Sequence, residues 1–237
     1  MPLVLAIDTS AKPVSCALAA GDRVLAEFYA NTGLTHSQTL MPMIDHLLDV
    51  AGKTVSDLDA VAVNAGPGSF TGVRIGVSAV KGITFADEIP CVSVSTLESM
   101  AEKTSVSPDA VICSLMDARC QQVYTALFEK DGVGNLIRLS DDEAVTVEQV
   151  GERLLALGRP VVLVGDGSEL CYRIWKDKLP NVYLAPSATR YQSAAATALI
   201  GVRRLLAGEI VSAEELQPTY LRLPQAEREL NARLNSK

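Results

Sequence analysis

The residues in this chain best suited to chemistry lie in two kinds of turn. The run Gly66-Pro67-Gly68-Ser69-Phe70-Thr71-Gly72-Val73-Arg74 follows a strand-like segment and opens a helical one. Glycines there permit a sharp turn and close backbone approach, and a helix N-terminus attracts anions. Two readings stand side by side: a loop whose Gly66, Gly68 and Ser69 face a phosphate, or a strand-to-helix turn packed against another backbone. The run matches neither G-x-x-x-x-G-K-[ST] nor G-x-G-x-x-G, so it is not a standard nucleotide fingerprint. Asp8-Thr9-Ser10 ends the first strand-like run, and Asp117-Ala118-Arg119 ends a similar run in the second half. Such turns either face phosphate and metal or form hairpins held by Asp and Ser side chains on the backbone.

Other catalytic groupings do not assemble. His36 and His46 are the two histidines. On one helix they stand nearly three turns apart, roughly 15 Å along the axis, too far to chelate one metal. A surface or capping role fits them better. No Ser/His/Asp or Cys/His set is legible. Trp175 and the turn Gly165-Asp166-Gly167-Ser168 read as structural. The assignment is therefore no catalytic residue and no metal ligand.

The elements that must position these turns follow from periodicity. Leu3–Ile7, Val14–Ala19 and Arg23–Tyr29 read as strands, with Ala20-Gly21-Asp22 as a tight turn. A helix follows, opened by Thr35-His36-Ser37-Gln38 in capping-box spacing. Leu40, Ile44, Leu47, Leu48 and Ala51 recur at helical spacing, and Pro42 either kinks the helix or starts it. Then come a strand at Ala60–Ala65, the glycine loop, a helix near 71–86, a strand at Cys91–Val94 and a short helix at Thr96–Lys103. The polar, Pro-containing break at Lys103–Asp109 marks a boundary, giving lobes at 1–105 and 106–237. The second lobe repeats the order: strands at Val111–Met116, Val123–Glu129 and Leu136–Leu139, a helix capped by Thr146 and Gln149, a strand at Val161–Val164, a helix at 168–176, a strand at Val182–Leu184 and a helix at Gln192–Leu206. The charged tail from Pro224, with Leu230 and Leu234 one helical turn apart, reads as a docking helix or a frayed end. Three antiparallel strands followed by alternating helices and strands, twice over, is the α/β arrangement of the actin, hexokinase and Hsp70 superfamily.

The first helix carries more apolar residues than one core stripe needs. Leu40, Ile44, Leu47 and Ala51 form one stripe, and Met43 and Val50 lie on a neighbouring face. The next helix holds Gly72, Gly76, Ala79 and Gly82. A mid-helix Gly costs about 1 kcal/mol relative to Ala, so several imply that the lobe's own sheet or a partner's helix approaches closely. Together the two helices form a patch that prefers burial to water.

Composition narrows the function classes. Of 237 residues, 48% are hydrophobic and 21% charged, which supports a core and argues against disorder. The net charge of −7 opposes unaided binding to a phosphate backbone, so a partner is expected to supply most of any RNA contact. Five cysteines without a C-x-x-C fit a reduced, cytoplasmic chain. The apolar start at residues 1–7 is short and lacks a basic flank, so it reads as a strand rather than a signal peptide. No run is long enough for a membrane span.

At these residues the chain resembles the TsaB (YeaZ) family, the dimerising subunit of the bacterial machinery that places threonylcarbamoyl on adenosine 37 of tRNAs. The resemblance is carried by Leu5–Ser10, by His36-Ser37-Gln38 with Leu40 and Pro42, and by Gly66–Gly76. Asp117-Ala118-Arg119 with Val123-Tyr124, and Pro218-Thr219-Tyr220-Leu221-Arg222, extend it over almost the whole chain. Cys120-Gln121-Gln122 departs from the family, whose members usually carry more charge there. The resemblance implies a fold of two actin-like ATPase lobes and a non-catalytic role beside a metal-binding TsaD transferase subunit and a TsaE ATPase. It implies that tRNA is met through the complex, with ATP or ADP present at the level of the complex only. It implies a contact surface on the two helices: His36, Leu40, Met43, Ile44, Leu47, Val50, Gly72, Gly76, Ala79 and Ile83. In the partner's absence the same patch would pair with a second copy. The rival from another class is an ATP-binding phosphotransferase of actin-like fold acting on a small substrate, using the Asp8 and Asp117 turns and Gly165-Asp166-Gly167 as a thin candidate for an adenosine turn.

Overall fold

A computed structural model describes residues 1–222. The charged segment from Pro224, for which the sequence leaves a docking helix or a frayed end open, lies outside the described residues. Eleven strands and seven α-helices alternate along the described chain. The first sheet takes β1 (Leu3–Asp8), β2 (Val14–Ala20), β3 (Arg23–Ala30), β4 (Ala60–Gly66) and β5 (Cys91–Ser95), in the order β3-β2-β1-β4-β5. Strands β1, β2 and β3 pair antiparallel, whereas β1–β4 and β4–β5 are parallel. The second sheet repeats the plan with β6 (Val111–Asp117), β7 (Gln122–Lys130), β8 (Leu136–Arg138), β9 (Glu143–Thr146), β10 (Val161–Val164) and β11 (Val182–Leu184), in the order β11-β10-β6-β7-β8. The doubled order is the two-lobed, actin-like α/β plan.

The helices are α1 (His36–Ala51), α2 (Phe70–Thr84), α3 (Thr96–Glu102), α4 (Val147–Leu157), α5 (Ser168–Trp175), α6 (Ser187–Arg190) and α7 (Ala194–Leu206). Strands β1 and β4 are buried along their whole length. That explains their continuous Val, Leu, Ile and Ala runs, since a strand covered on both faces has no polar side to alternate with. Helices α1 and α2 cover one face of the first sheet with Leu40, Ile44, Leu47, Val73, Val77 and Val80.

Three expectations need correction. Thr35 starts α1 but makes no side-chain cap bond, so the capping box is not formed; Pro42 sits inside the helix without ending it. The box at Thr146 and Gln149 does form. The third strand of the second lobe is split: β8 pairs with residues 128–130 of β7, and β9, which periodicity did not reveal, pairs with 122–125. The expected helix at Gln192–Leu206 starts at Ala194 and does not complete the second lobe. It packs on the first sheet, where Ala194, Ala198, Ile200 and Val202 meet Val4, Ala6, Ala62 and Val92. Gly201 permits this approach, because a Cβ there would stand 2.8 Å from that of Ala62. The chain after α7 stays with the first lobe: Val211 bridges Cys91 and Leu216 joins the core under α1 and α2. Helix α3 forms the joint, with Leu97, Met100 and Ala101 against Ile112, Met116 and Phe128 of the second sheet.

Candidate functional site

The ends of β1 and β6 face one interlobe cleft of about 510 Å³. Its walls include Lys12, Gly68, Asp117, Arg119, Asp166 and Arg222. Asp8 is fully buried and does not point into the cleft as a free carboxylate. One oxygen accepts the Ser10 N–H at 2.9 Å and the Ser10 hydroxyl at 2.6 Å. The other accepts the Asn64 side-chain N–H at 2.5 Å. The Asn64 carbonyl accepts the Thr197 hydroxyl at 3.0 Å, and Thr197 and Ser99 share a bond of 2.9 Å. The chain Asp8–Asn64–Thr197–Ser99 thus ties β1 and β4 to α7 and α3. Burial pushes the Asp8 carboxyl above its ordinary range, opposed by bonds from Ser10 and Asn64 and by the charge of Lys103.

The glycine loop closes on this turn rather than around an open anion site. The Ser69 N–H donates to the Ser10 carbonyl at 2.7 Å. The Thr9 hydroxyl donates to the Gly72 carbonyl at 2.7 Å. A Cβ on Gly68 would lie 2.5 Å from the Ser10 carbonyl oxygen, and one on Gly72 would lie 2.1 Å from that of Thr9. Gly76 meets the Thr9 hydroxyl oxygen at 2.5 Å. The close neighbour of Gly72 and Gly76 is the lobe's own β1 turn, so of the two readings of the helical glycines the lobe's own sheet holds for this pair and a partner's helix does not. Gly66, with φ +126°, faces the Thr219 carbonyl instead, and the Thr219 N–H donates to Ala65.

Of the candidate turn residues, Ser10, Gly68, Ser69 and Asp117 line the cleft, whereas Asp8, Thr9 and Gly66 do not. Asp117 is exposed and accepts the Arg119 N–H at 2.7 Å. Asp166, read from sequence as structural, also lines the cleft. Burial, then the charge of Asp117, push its carboxyl up to about 6, against bonds from backbone and the charge of Lys12. One of its oxygens is buried without a partner.

A second concavity, of about 530 Å³, lies between α1 and α2 and is lined by Ser37, Met41, Arg74, Ile75, Ser78 and Ala79 over a floor that includes Leu40. Leu40, Ile44 and Leu47 are core residues, each at most 1% exposed, and present no free surface to a partner apart from that floor. Met43 is half-buried against the same core, and Val50 is 72% exposed. Met41 lines the α2-facing groove, and Met43 lies about 200° further around the helix at roughly 100° per residue. Met43 and Val50 therefore sit on the flank away from α2, so the single patch expected from them and the α2 residues does not form. Met41 was not legible in the sequence, because the helical period locates the core stripe but not which of its two flanks faces α2. Ala79 and Ile83 are half-buried. His36 is half-buried, its Nε2 lies 2.8 Å from the Ala11 carbonyl oxygen, and its Nδ1 is buried without a partner.

The groove and the cleft share a wall. Phe70 stacks on Tyr220 with centroids 4.6 Å apart, and Arg74 lies over Phe70 at 4.0 Å while its Nε donates to the Tyr220 hydroxyl at 2.7 Å. Phe70 and Thr71 line both cavities.

The chain is 34% identical to the tRNA threonylcarbamoyladenosine biosynthesis protein TsaB of Bacillus subtilis, over 94% of this chain and 96% of that one. The chain belongs to the TsaB (YeaZ) family. It is also 32% identical to the TsaB protein of Escherichia coli, over 92% of this chain and 94% of that one. The solved structure of YeaZ from Pseudomonas aeruginosa superposes with a TM-score of 0.77 at 31% identity, covering 93% of this chain and 100% of that one. A family model described as TsaD, tRNA N6-adenosine threonylcarbamoyltransferase, matches residues 30–229. This chain therefore shares recognisable sequence with that transferase family. Among the described residues no group of three or more His, Cys, Asp or Glu comes together in a way that could hold a metal ion.

Proposed function

We propose that the chain is the non-catalytic partner subunit of a tRNA threonylcarbamoyladenosine-forming complex, and that the α1/α2 groove receives a TsaD-type transferase subunit. The observation that carries this reading is the groove itself: Met41, Ile75 and Ala79 around an apolar floor, edged by Arg74 and the Phe70–Tyr220 stack. An apolar centre with an Arg and aromatic edge is the composition of an interface hot spot. In this reading tRNA and a TsaE-like ATPase are met through the complex, and a second copy of this chain occupies the groove when the transferase is absent. The assembly works in the cytoplasm, where tRNA resides. Among the described residues no helix is long and apolar enough to cross a membrane.

The phosphotransferase alternative is not favoured. Asp8 is bound within its own lobe, and the Ser69 N–H, the donor that a phosphate would need, is spent on Ser10. The test is size-exclusion with light scattering of the chain mixed with the TsaD-type subunit of the same organism. Met41→Arg should abolish the complex and leave the melting temperature within a few degrees. Val50→Arg, on the far flank, should leave it intact. A Met41→Arg variant that binds with unchanged affinity removes this groove from the interface.

A further inference from the structure

Helix α3 stands between the lobes and is tied to both. It starts at Thr96, directly after β5 ends at Ser95 in the first sheet. Its apolar side, Leu97, Met100 and Ala101, is buried in the second lobe against Ile112, Met116 and Phe128. The Ser114 hydroxyl of β6 donates to the Leu97 carbonyl at 2.8 Å. Helix α7, by contrast, packs on the first sheet through Ala194, Ala198, Ile200 and Val202. The apolar residues of α3 and α7 thus belong to two separate clusters. Where the two helices meet, the contacts are polar. Ser99 and Thr197 share a hydrogen bond of 2.9 Å, and the Ser99 hydroxyl reaches the Ser193 carbonyl at 3.5 Å. Thr96, which opens α3, and Gln192, two residues before α7, are both buried. The Thr96 hydroxyl and both amide atoms of Gln192 have no hydrogen-bond partner among the described residues. A seam of hydroxyls and amides can change its pairing as two bodies turn, whereas an interdigitated apolar core resists any displacement.

Two glutamates hold this seam. Glu98 and Glu102 are four residues apart and so share one face of α3. Each binds one cation from either lobe. Glu98 pairs with Arg204 of α7 at 2.7 Å and with Arg138 of β8 at 3.6 Å. Glu102 pairs with Arg203 of α7 at 2.8 Å and with Lys130 of β7 at 3.6 Å, and its backbone carbonyl accepts from the Lys130 ammonium at 2.9 Å. The cations are anchored in turn. Arg204 donates to the Ser93 carbonyl of β5, and Arg138 lies over the Phe128 ring at 4.7 Å. Asp142 adds a third tie, accepting the Ser95 hydroxyl at 2.5 Å and pairing with Arg138 at 2.6 Å. The two glutamate side chains are only 19% and 14% exposed, so these pairs are screened by salt less than surface pairs are. Met116 packs with α3 and also lines the interlobe cleft, so a turn of α3 against α7 reaches the cleft wall directly. None of the paired residues lines the cleft itself.

We propose that Glu98 and Glu102 are a latch on an interlobe hinge. They hold the two lobes at one angle, and the polar α3–α7 seam is the surface along which the lobes turn when the latch is released. The opening of the cleft is then set by α3 and α7, and the assignment stands independently of the partner reading for the first lobe.

The test is the distance between the lobes in the full-length chain. Cys120, on the second lobe, is exposed and the other four cysteines are buried, so it takes one spin label as it stands. Lys53→Cys, at an exposed position after α1 on the first lobe, supplies the other. Pulsed double electron–electron resonance should give one narrow distance distribution in this parent. In Glu98→Gln/Glu102→Gln the distribution should be at least twofold wider or split in two. Arg203→Gln/Arg204→Gln cuts the α7 side alone, at more exposed residues that the fold tolerates losing, and should do the same with the melting curve still cooperative. Distributions that match the parent in both variants, whatever happens to the melting temperature, show that the pairs only add stability and overturn the proposal. Widening in the glutamate variant with no change in the α7 variant also overturns it, because the seam to α7 would not be what holds the angle.

Discussion

The Ser69 N–H donates to the Ser10 carbonyl at 2.7 Å, so the glycine loop and the first β-turn of this lobe satisfy each other. With the Thr9 hydroxyl donating to the Gly72 carbonyl, this contact closes that part of the cleft wall with backbone from β1 and the loop.

The sealed loop makes glycine irreplaceable at a definite place. Gly72→Ala puts a methyl 2.1 Å from the Thr9 carbonyl oxygen, and the contacting atom is backbone with no rotamer to yield. The variant should lose about 2 kcal/mol or more by urea denaturation. Gly82→Ala, in the same helix with open space around it, should instead gain up to about 1 kcal/mol. Equal effects from the two would refute a packing role for Gly72.

The buried polar chain should behave as a unit. Asn64→Ala leaves one Asp8 oxygen and the Thr197 hydroxyl without their partner. A loss of about 3 kcal/mol is expected. Thr197→Val in the Asn64→Ala background should cost less than in the wild type. A double-mutant cycle with zero coupling would show that the chain of bonds is incidental.

The stack that joins groove and cleft gives a test of affinity without loss of fold. Arg74 is exposed, lines the groove, and contacts Phe70 and Tyr220. Arg74→Ala should weaken binding of the TsaD-type subunit at least tenfold while lowering stability by no more than about 1 kcal/mol. Isothermal titration beside a denaturation curve separates the two quantities, and an unchanged dissociation constant would count against an Arg-edged interface.

Asp166 sets a pH dependence with a definite sign. Its folded-state value of about 6 lies above the ordinary 3.8, so the unfolded chain releases this proton first as pH rises. Its contribution to stability is full below pH 3.8 and is lost as pH climbs through about 6. A move of that size corresponds to up to about 3 kcal/mol. Asp166→Asn removes the titration, so the gap in stability between variant and wild type should widen between pH 4 and 7 in the variant's favour. A gap that stays constant over that window would show that Asp166 titrates normally.

Periodicity and turn residues in the sequence determined most of the strands and helices, because each signal is local. Buried parallel strands such as β1 and β4 need unbroken apolar runs, and α4 needs the cap at Thr146 and Gln149. The doubled order of elements was legible in the same way, and the family through the resemblance of runs such as Leu5–Ser10 and Gly66–Gly76. Only the tertiary structure decided which lobe α7 joins, since Ala194, Ala198 and Ile200 would suit either sheet and the choice rests on contacts across more than 100 residues of chain. It alone decided that Asp8 faces Ser10 and Asn64 instead of solvent, because a carboxylate at a strand end carries no record of what will surround it. It also decided that Met41 rather than Met43 faces α2. The helical period locates the buried stripe, but the neighbour on either side of that stripe is set by how α1 and α2 pack on the shared sheet.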